Sequence, residues 1–329
     1  MLALKVEKRF AENAKQELLE KGAFARGFGV KRDEKFVFFP VSKRVSVSVK
    51  HSFVNKVFDA IENPKPLKAL ARGAPSSFDL VGDIAIIETP ANRSRCKYIA
   101  KRLLASNKRI KTVLRKASGR KGDFRLRDYE WLAGGRKTLT LHKESGCVFK
   151  VDLAKAYFSP RLSAERLRVA SKVKNGENVL VLFAGVSPFD IVIAKRKKVL
   201  VKGVELNRAA SKLAEENVRL NKLEGKCEVI NGEAGVYARK LGKWADRIVM
   251  VFPKGAHRFL DLVVGHARKG CIVHYYDVGG EREGFFAKAL ERIEKACLKN
   301  KRKFRVLSKR KVLPYAPRVF TVAIDFKVL

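Results

Sequence analysis

The chain has 329 residues, 46% of them hydrophobic, which is enough to pack two or three domains and excludes a disordered chain. Its 72 Lys and Arg against 33 Asp and Glu leave a net charge of +39, whose simplest reading is a polyanionic partner, because each neutralised phosphate releases condensed counterions; the alternative is an adaptation of solubility, or to salt or heat. Five cysteines without a C-x-x-C pair and five histidines without an H-x-x-x-H pair argue against a disulfide framework or a metal site. No apolar run approaches the ~18 residues that span a bilayer, and the charged N-terminus does not read as a signal peptide. A reducing cytoplasm fits these features.

In chain order, residues 1–52 read as a small N-terminal α+β domain. Leu2 to Val6 alternates like a strand, and Ala11 to Lys21 reads as a helix stopped by Gly22. Phe36 to Val41 and Val45 to Val49 read as further strands. A unit below ~60 residues is marginal alone, so an accessory role is expected. Pro64-Lys65-Pro66 and Gly73-Ala74-Pro75-Ser76-Ser77 read as a linker. Residues 53–154 are expected to form a middle α+β domain. It has a buried strand over 79–87, a basic helix over 93–104 and a strand over 109–115. An exposed basic loop over 116–127 and a hairpin around Ser145-Gly146 complete it.

From about 155 to 329 strands and helices alternate. Strands are expected at 178–183, 199–204, 226–230, 246–252, 269–276, 303–312 and 319–327. The last two lack room for a crossover helix and must be antiparallel if they pair. A parallel sheet closed by such a hairpin predicts a Rossmann-like, seven-stranded mixed sheet of the class I methyltransferase kind. The apolar run Val179 to Phe183 leads into Ala184 and Gly185, where the backbone can approach a ligand closely. Glu205, closing the second strand, is placed for a ribose diol. Ribose recognition alone does not separate a dinucleotide from S-adenosylmethionine. The turn lacks G-x-G-x-x-G and so offers no pyrophosphate cradle, which favours S-adenosylmethionine.

Several stretches resemble the archaeal and eukaryotic tRNA (guanine-37, N1)-methyltransferases. They include Gly82 to Ile87, Gly122 to Arg127, Tyr157-Phe158-Ser159-Pro160-Arg161-Leu162-Ser163-Ala164-Glu165-Arg166, Phe183 to Val186, Ala256 to Asp261, His274-Tyr275-Tyr276 and Tyr315-Ala316-Pro317. The resemblance implies methyl transfer from S-adenosylmethionine to N1 of guanine-37, with tRNA as the partner and a monomer as the default state. It implies an N-terminal domain that grips the tRNA elbow. The alternatives are a wyosine-pathway aminocarboxypropyl transferase and a catalytically weak tRNA-binding relative.

By the same resemblance, Arg125 matches the catalytic arginine, suited to guanine O6 and N7, and Glu165 matches the general base. Tyr157 matches a tyrosine near cofactor and base. The cofactor residues would be Phe183, Ala184, Gly185, Val186, Ser187, Pro188, Glu205 and Leu206, with Glu233 and Ala234 at the adenine and Pro253 beyond the fourth strand. Lys121, Arg127, Arg161 and Arg318 are candidate tRNA contacts. Val181, Ser187 and Val251 stand where the family usually has Asp, Gly and Asn. At Val251 this removes a hydrogen-bond donor to the target base.

Overall fold

In the computed structural model, residues 1–25, 27–60, 77–88, 92–119, 122 and 124–329 are described. The expected linker over 64–77 falls almost wholly outside them, as does Lys121. The chain forms two compact units, residues 1–65 and 66–329.

The first unit is a four-stranded sheet with a helix on it. The strands are β1 (Leu2–Glu7), β2 (Lys31–Arg32), β3 (Phe36–Pro40) and β4 (His51–Asn55), in the order β2-β3-β1-β4. The helix Ala11–Glu20 buries Ala14 and Leu18 against Leu4, Val6, Val37 and Phe39. β4 pairs with β1 from His51 to Asn55, so the unit runs past the boundary expected at residue 52. Val45 to Val49 is not a strand. Val47 is buried in the core as irregular chain, and the Ser48 amide donates to Glu17 Oε2 at 2.9 Å.

The second unit holds the rest. The strands β5 (Asp79–Val81), β6 (Ile84–Ile87), β7 (Thr112–Lys116) and β8 (Tyr129–Gly134) form one sheet in that order. The single strand expected over 79–87 is in fact a hairpin. Gly82 takes φ +57°, where L side chains are strained, and a Cβ there would overlap Thr140 Oγ1. The turn therefore closes tightly on the neighbouring hairpin of β9 (Leu139–Glu144) and β10 (Cys147–Asp152). The helix Arg93–Ser106 is N-capped by Asn92, whose side chain accepts from Arg95 N. It buries Cys96, Ile99, Ala100 and Leu103.

The large sheet contains β11 (Asn178–Leu182), β12 (Leu200–Glu205), β13 (Cys227–Asn231), β14 (Arg247–Met250), β15 (Ile272–Gly280), β16 (Phe304–Ala316) and β17 (Val319–Val328). Its order is β13-β12-β11-β14-β15-β17-β16. All pairs are parallel except those of β17 with β15 and with β16. The expected mixed sheet and closing hairpin are present. Continuous runs such as Ile248-Val249-Met250 are buried because helices cover both faces.

The boundary expected at 154 is no break. Phe149, Val151, Leu153 and Phe158 share one core with Val169, Val181 and Ile191. Two asparagines of the helix Arg208–Leu220 and its C-cap serve β10 as a substitute strand. The Lys150 amide donates to Asn217 Oδ1 at 2.6 Å and the Val148 amide to Asn221 Oδ1 at 2.9 Å. Their Nδ2 groups return bonds to the Lys150 and Val148 carbonyls at 3.1 and 2.7 Å. An edge strand's backbone is thereby satisfied without a neighbouring strand. Arg166, on the helix Ser163–Lys172, forms a buried two-bond pair with Glu144 of β9, both at 2.6 Å.

Candidate active site

Two clefts open at the C-terminal ends of β11, β12 and β14. They share the walls Arg125, Tyr157, Val251, Phe252 and Arg258.

The first is organised by Glu205 at the end of β12. Its Oε2 accepts from Gly185 N at 2.7 Å and its Oε1 from Asn207 N at 2.8 Å. Burial raises its pKa, although these amide bonds act the other way. Each oxygen keeps acceptor capacity for a diol. The turn before it is sharply bent, with φ of 63° at Phe183, 60° at Gly185 and 60° at Ser187. Phe183 stacks near Phe252 and Phe259, with ring centroids 5.1 and 5.2 Å away. Asn207 caps the helix Arg208–Leu220 and donates to the Lys155 carbonyl at 2.7 Å, which ties the segment before Tyr157 to this cleft. An acceptor pair beside aromatic walls fits an adenosine.

Of the expected cofactor residues, Phe183, Gly185, Glu205, Leu206, Glu233 and Ala234 line this cleft. Ala184, Val186, Ser187 and Pro188 shape the turn instead. Val186 and Ser187 are wholly buried, and Pro188 is the first residue of the helix Pro188–Arg196, where its lack of an N–H costs nothing. Glu233 has a second duty: it caps the helix Ala234–Leu241 by accepting from Gly235 N and Val236 N, both at 2.9 Å. Pro253 lines the other cleft.

That second cleft carries Lys116, Arg125, Arg127, Arg161, Lys254 and Arg258. Arg161 is braced by Asp79 Oδ1 at 2.6 Å and Lys116 by Glu88. Arg125 takes φ 55°, and its guanidinium lies 4.9 Å from the Tyr157 ring centre. Arg318 is elsewhere: it sits at the turn between β16 and β17 with φ 58°, its side chain 81% exposed beside Glu281.

Glu165 is only 3% exposed and does not line either cleft. Arg168 grips both its oxygens at 2.7–3.0 Å, and Tyr276 Oη donates to Oε1 at 2.6 Å. Burial alone would lower the Arg168 pKa, but bonds to Glu165 and Asp325 raise it. Asp325 is the hub beneath: it accepts from Arg168 at 2.5 Å, His274 Nδ1 at 2.7 Å, Lys172 at 2.8 Å and Ser308 at 2.8 Å. His274 Nε2 meets Arg247 Nη1 at 2.8 Å, and Arg247 pairs with Glu177 at 2.7 and 3.0 Å. A guanidinium can only donate, so His274 accepts from Arg247 at Nε2 and donates through Nδ1 to Asp325; burial lowers its pKa despite Asp325.

Sequence reasoning missed this network, although its mark was visible: Asp325 interrupts the apolar strand Thr321 to Phe326. It also missed Asp190, a charge inside Pro188-Phe189-Asp190-Ile191-Val192-Ile193. Asp190 is 1% exposed. Neither of its oxygens has a hydrogen-bond partner among the described residues. It sits against Gly203, where any Cβ would overlap Oδ1.

Comparison with known proteins identifies the family. Residues 140–307 match the TRM5/TYW2 methyltransferase domain, 64–138 the TYW2 N-terminal domain and 3–49 the tRNA methyltransferase 5 N-terminal domain. The chain is 37% identical over 336 residues to tRNA (guanine(37)-N(1))-methyltransferase Trm5b of Pyrococcus abyssi, covering 99% of each. It is 31% identical over 251 residues to the tRNA(Phe) (4-demethylwyosine(37)-C(7)) aminocarboxypropyltransferase of Methanocaldococcus jannaschii, covering 76% of this chain and 97% of that one. The solved complex of aTrm5 and tRNALeu superposes with a TM-score of 0.70 at 31% identity, covering 99% of both chains. With residues 140–307, more than half of its own length, matching the methyltransferase domain, the chain belongs to the TRM5/TYW2 methyltransferase family.

Proposed function

We infer that the protein transfers the methyl group of S-adenosylmethionine to N1 of guanine-37 in tRNA. The observation that carries this is the pair of adjoining clefts, one built for a nucleoside and one lined with cations, which share Arg125 and Tyr157. The match to the guanine-37 methyltransferase runs the whole chain, whereas the aminocarboxypropyl transferase match covers 76% of it.

Glu205 holds the ribose, Phe183 and Leu206 flank the adenosine, and Glu233 and Ala234 bound the adenine end. When bound, the cofactor supplies an electrophilic methyl group. Guanine N1 carries a proton at neutral pH, so transfer needs a base and a positive charge near O6. Arg125, braced on Tyr157, supplies the charge, and Glu165 is the general base. Pro253 borders the target base. Arg127 and Arg161 contact phosphates near it, with Lys121 and Arg318 as further phosphate contacts. Residues 1–65 add affinity or check tRNA shape, and the chain works as a monomer in a reducing cytoplasm.

Methyl transfer to a transcript with guanine-37 and to its adenine-37 counterpart tests the assignment, with mass spectrometry of the nucleoside. Methylation of the guanine transcript alone is expected. No modification, or an added aminocarboxypropyl mass, overturns it. Calorimetry on Glu205→Ala is expected to show at least about a tenfold loss of cofactor affinity, the scale of one lost charge-assisted hydrogen bond.

A further inference from the structure

Glu165 is cut off from the cleft it would serve, and one residue of that cleft's lining is bonded to it. Tyr276 lines the target cleft although its side chain is wholly buried, and its hydroxyl donates to Glu165 Oε1 at 2.6 Å. Among the described residues, the other groups facing the carboxylate are cations without a lone pair to accept a proton. Arg168, from the same helix, holds both oxygens, and Arg310 of β16 stands 3.6 Å from Oε2. Asp325 of β17 lies beyond Arg168 and is occupied by it. A phenol differs from both arginines, because it donates one proton and keeps lone pairs to accept another. Burial and the Glu165 charge raise the Tyr276 pKa far enough to keep it neutral.

We propose that Tyr276 is a catalytic residue that relays the guanine N1 proton to Glu165. This rests on the reading of Glu165 as the base. As the N1–methyl bond forms and the methyl–sulfur bond breaks, the N1 proton passes to Tyr276 Oη. The phenol's own proton passes to Glu165 Oε1 in the same event. The sulfonium charge and the carboxylate charge are both cancelled, and the phenol ends as it began. Arg168 is a positioning residue in this scheme: it fixes the carboxylate so that one oxygen faces the phenol.

The test is single-turnover methyl transfer to a guanine-37 transcript by the full chain and by Tyr276→Phe, Glu165→Gln and the double variant. Cofactor and tRNA affinities are measured alongside, by calorimetry and filter binding. Tyr276→Phe is expected to slow transfer by about tenfold or more with both affinities unchanged, and the double variant to be no slower than the slower single one. If Glu165→Gln is slow but Tyr276→Phe stays within about twofold of the native rate, the relay is overturned and the base reading stands. Multiplying effects in the double variant overturn the relay in the same way. If Glu165→Gln itself keeps the native rate, the base reading falls and the relay with it. Should Tyr276→Phe fail to fold, rates of the native chain in mixed light and heavy water decide. A bowed dependence on deuterium fraction supports two protons in flight, and a straight line overturns the proposal.

Discussion

The Arg125 guanidinium rests 4.9 Å from the centre of the Tyr157 ring, and both side chains border the nucleoside cleft and the cationic cleft. The ring face therefore braces the arginine through a cation–π contact. Arg125→Ala is expected to slow methyl transfer by roughly ten- to a thousandfold. Tyr157→Leu, which removes the ring, is expected to cost about two- to thirtyfold, the kinetic equivalent of a cation–π contact. Tyr157→Phe, which keeps it, should stay close to native. Because both residues border the nucleoside cleft, Arg125→Ala should also weaken cofactor binding measurably. Single-turnover rates with calorimetry on the same variants check this.

Asp190 should make the protein less stable as pH rises. Burial, with a smaller contribution from the Glu205 charge, pushes its pKa up to about 7. A carboxyl raised in the folded state contributes stability below its unfolded value and loses it as pH climbs through the folded one. Asp190→Asn, neutral at every pH, should match the native protein near pH 4. It should be more stable at pH 8, by up to about 4 kcal/mol. Urea midpoints at the two pH values measure the difference.

Asp325 should act in the opposite direction. Burial alone would raise its pKa, but bonds from His274, Arg168 and Lys172 hold it far below the usual carboxylate range. Its stabilisation is therefore present above the ordinary carboxylate pKa and is lost only as pH falls below it. Asp325→Ala, which strands buried positive groups, is expected to cost about 3–5 kcal/mol at pH 7. The gap between the native protein and Asp325→Asn in denaturant midpoint should narrow only in acid.

Affinity for tRNA should be steeply salt-dependent. If about six of the chain's cations meet phosphates, log affinity should fall against log salt with a slope of about −4 to −5. A flat filter-binding titration would remove the argument from the +39 charge.

The large sheet was legible because its central strands contain continuous apolar runs, over 179–182 and 248–250, and Glu205 because an acidic residue ends the strand beside them. Tyr129–Gly134 carries no clear strand signal, since Tyr129-Glu130-Trp131 mixes polar and aromatic residues at a sheet edge. The turn at Gly82 was hidden inside apolar residues on both sides. Arg125 and Glu165 came from resemblance rather than from any spacing. The groups around Glu165 lie at 168, 276, 310 and 325, and only folding brings them together. Burial of Glu165 was equally invisible, because an acidic residue in the first turn of a helix reads as solvated.

The Glu144–Arg166 pair and the asparagine clips on β10 bear on how freely this chain can be recombined. A hybrid joined near residue 154, taking its earlier part from one relative and its later part from another, inherits half of each arrangement. Unless position 144 matches position 166, it buries an orphan charge, and unless 217 and 221 suit β10, it leaves a strand edge bare. The crossover that keeps these partners together lies upstream of Leu139, so the hairpin is inherited with the nucleoside cleft.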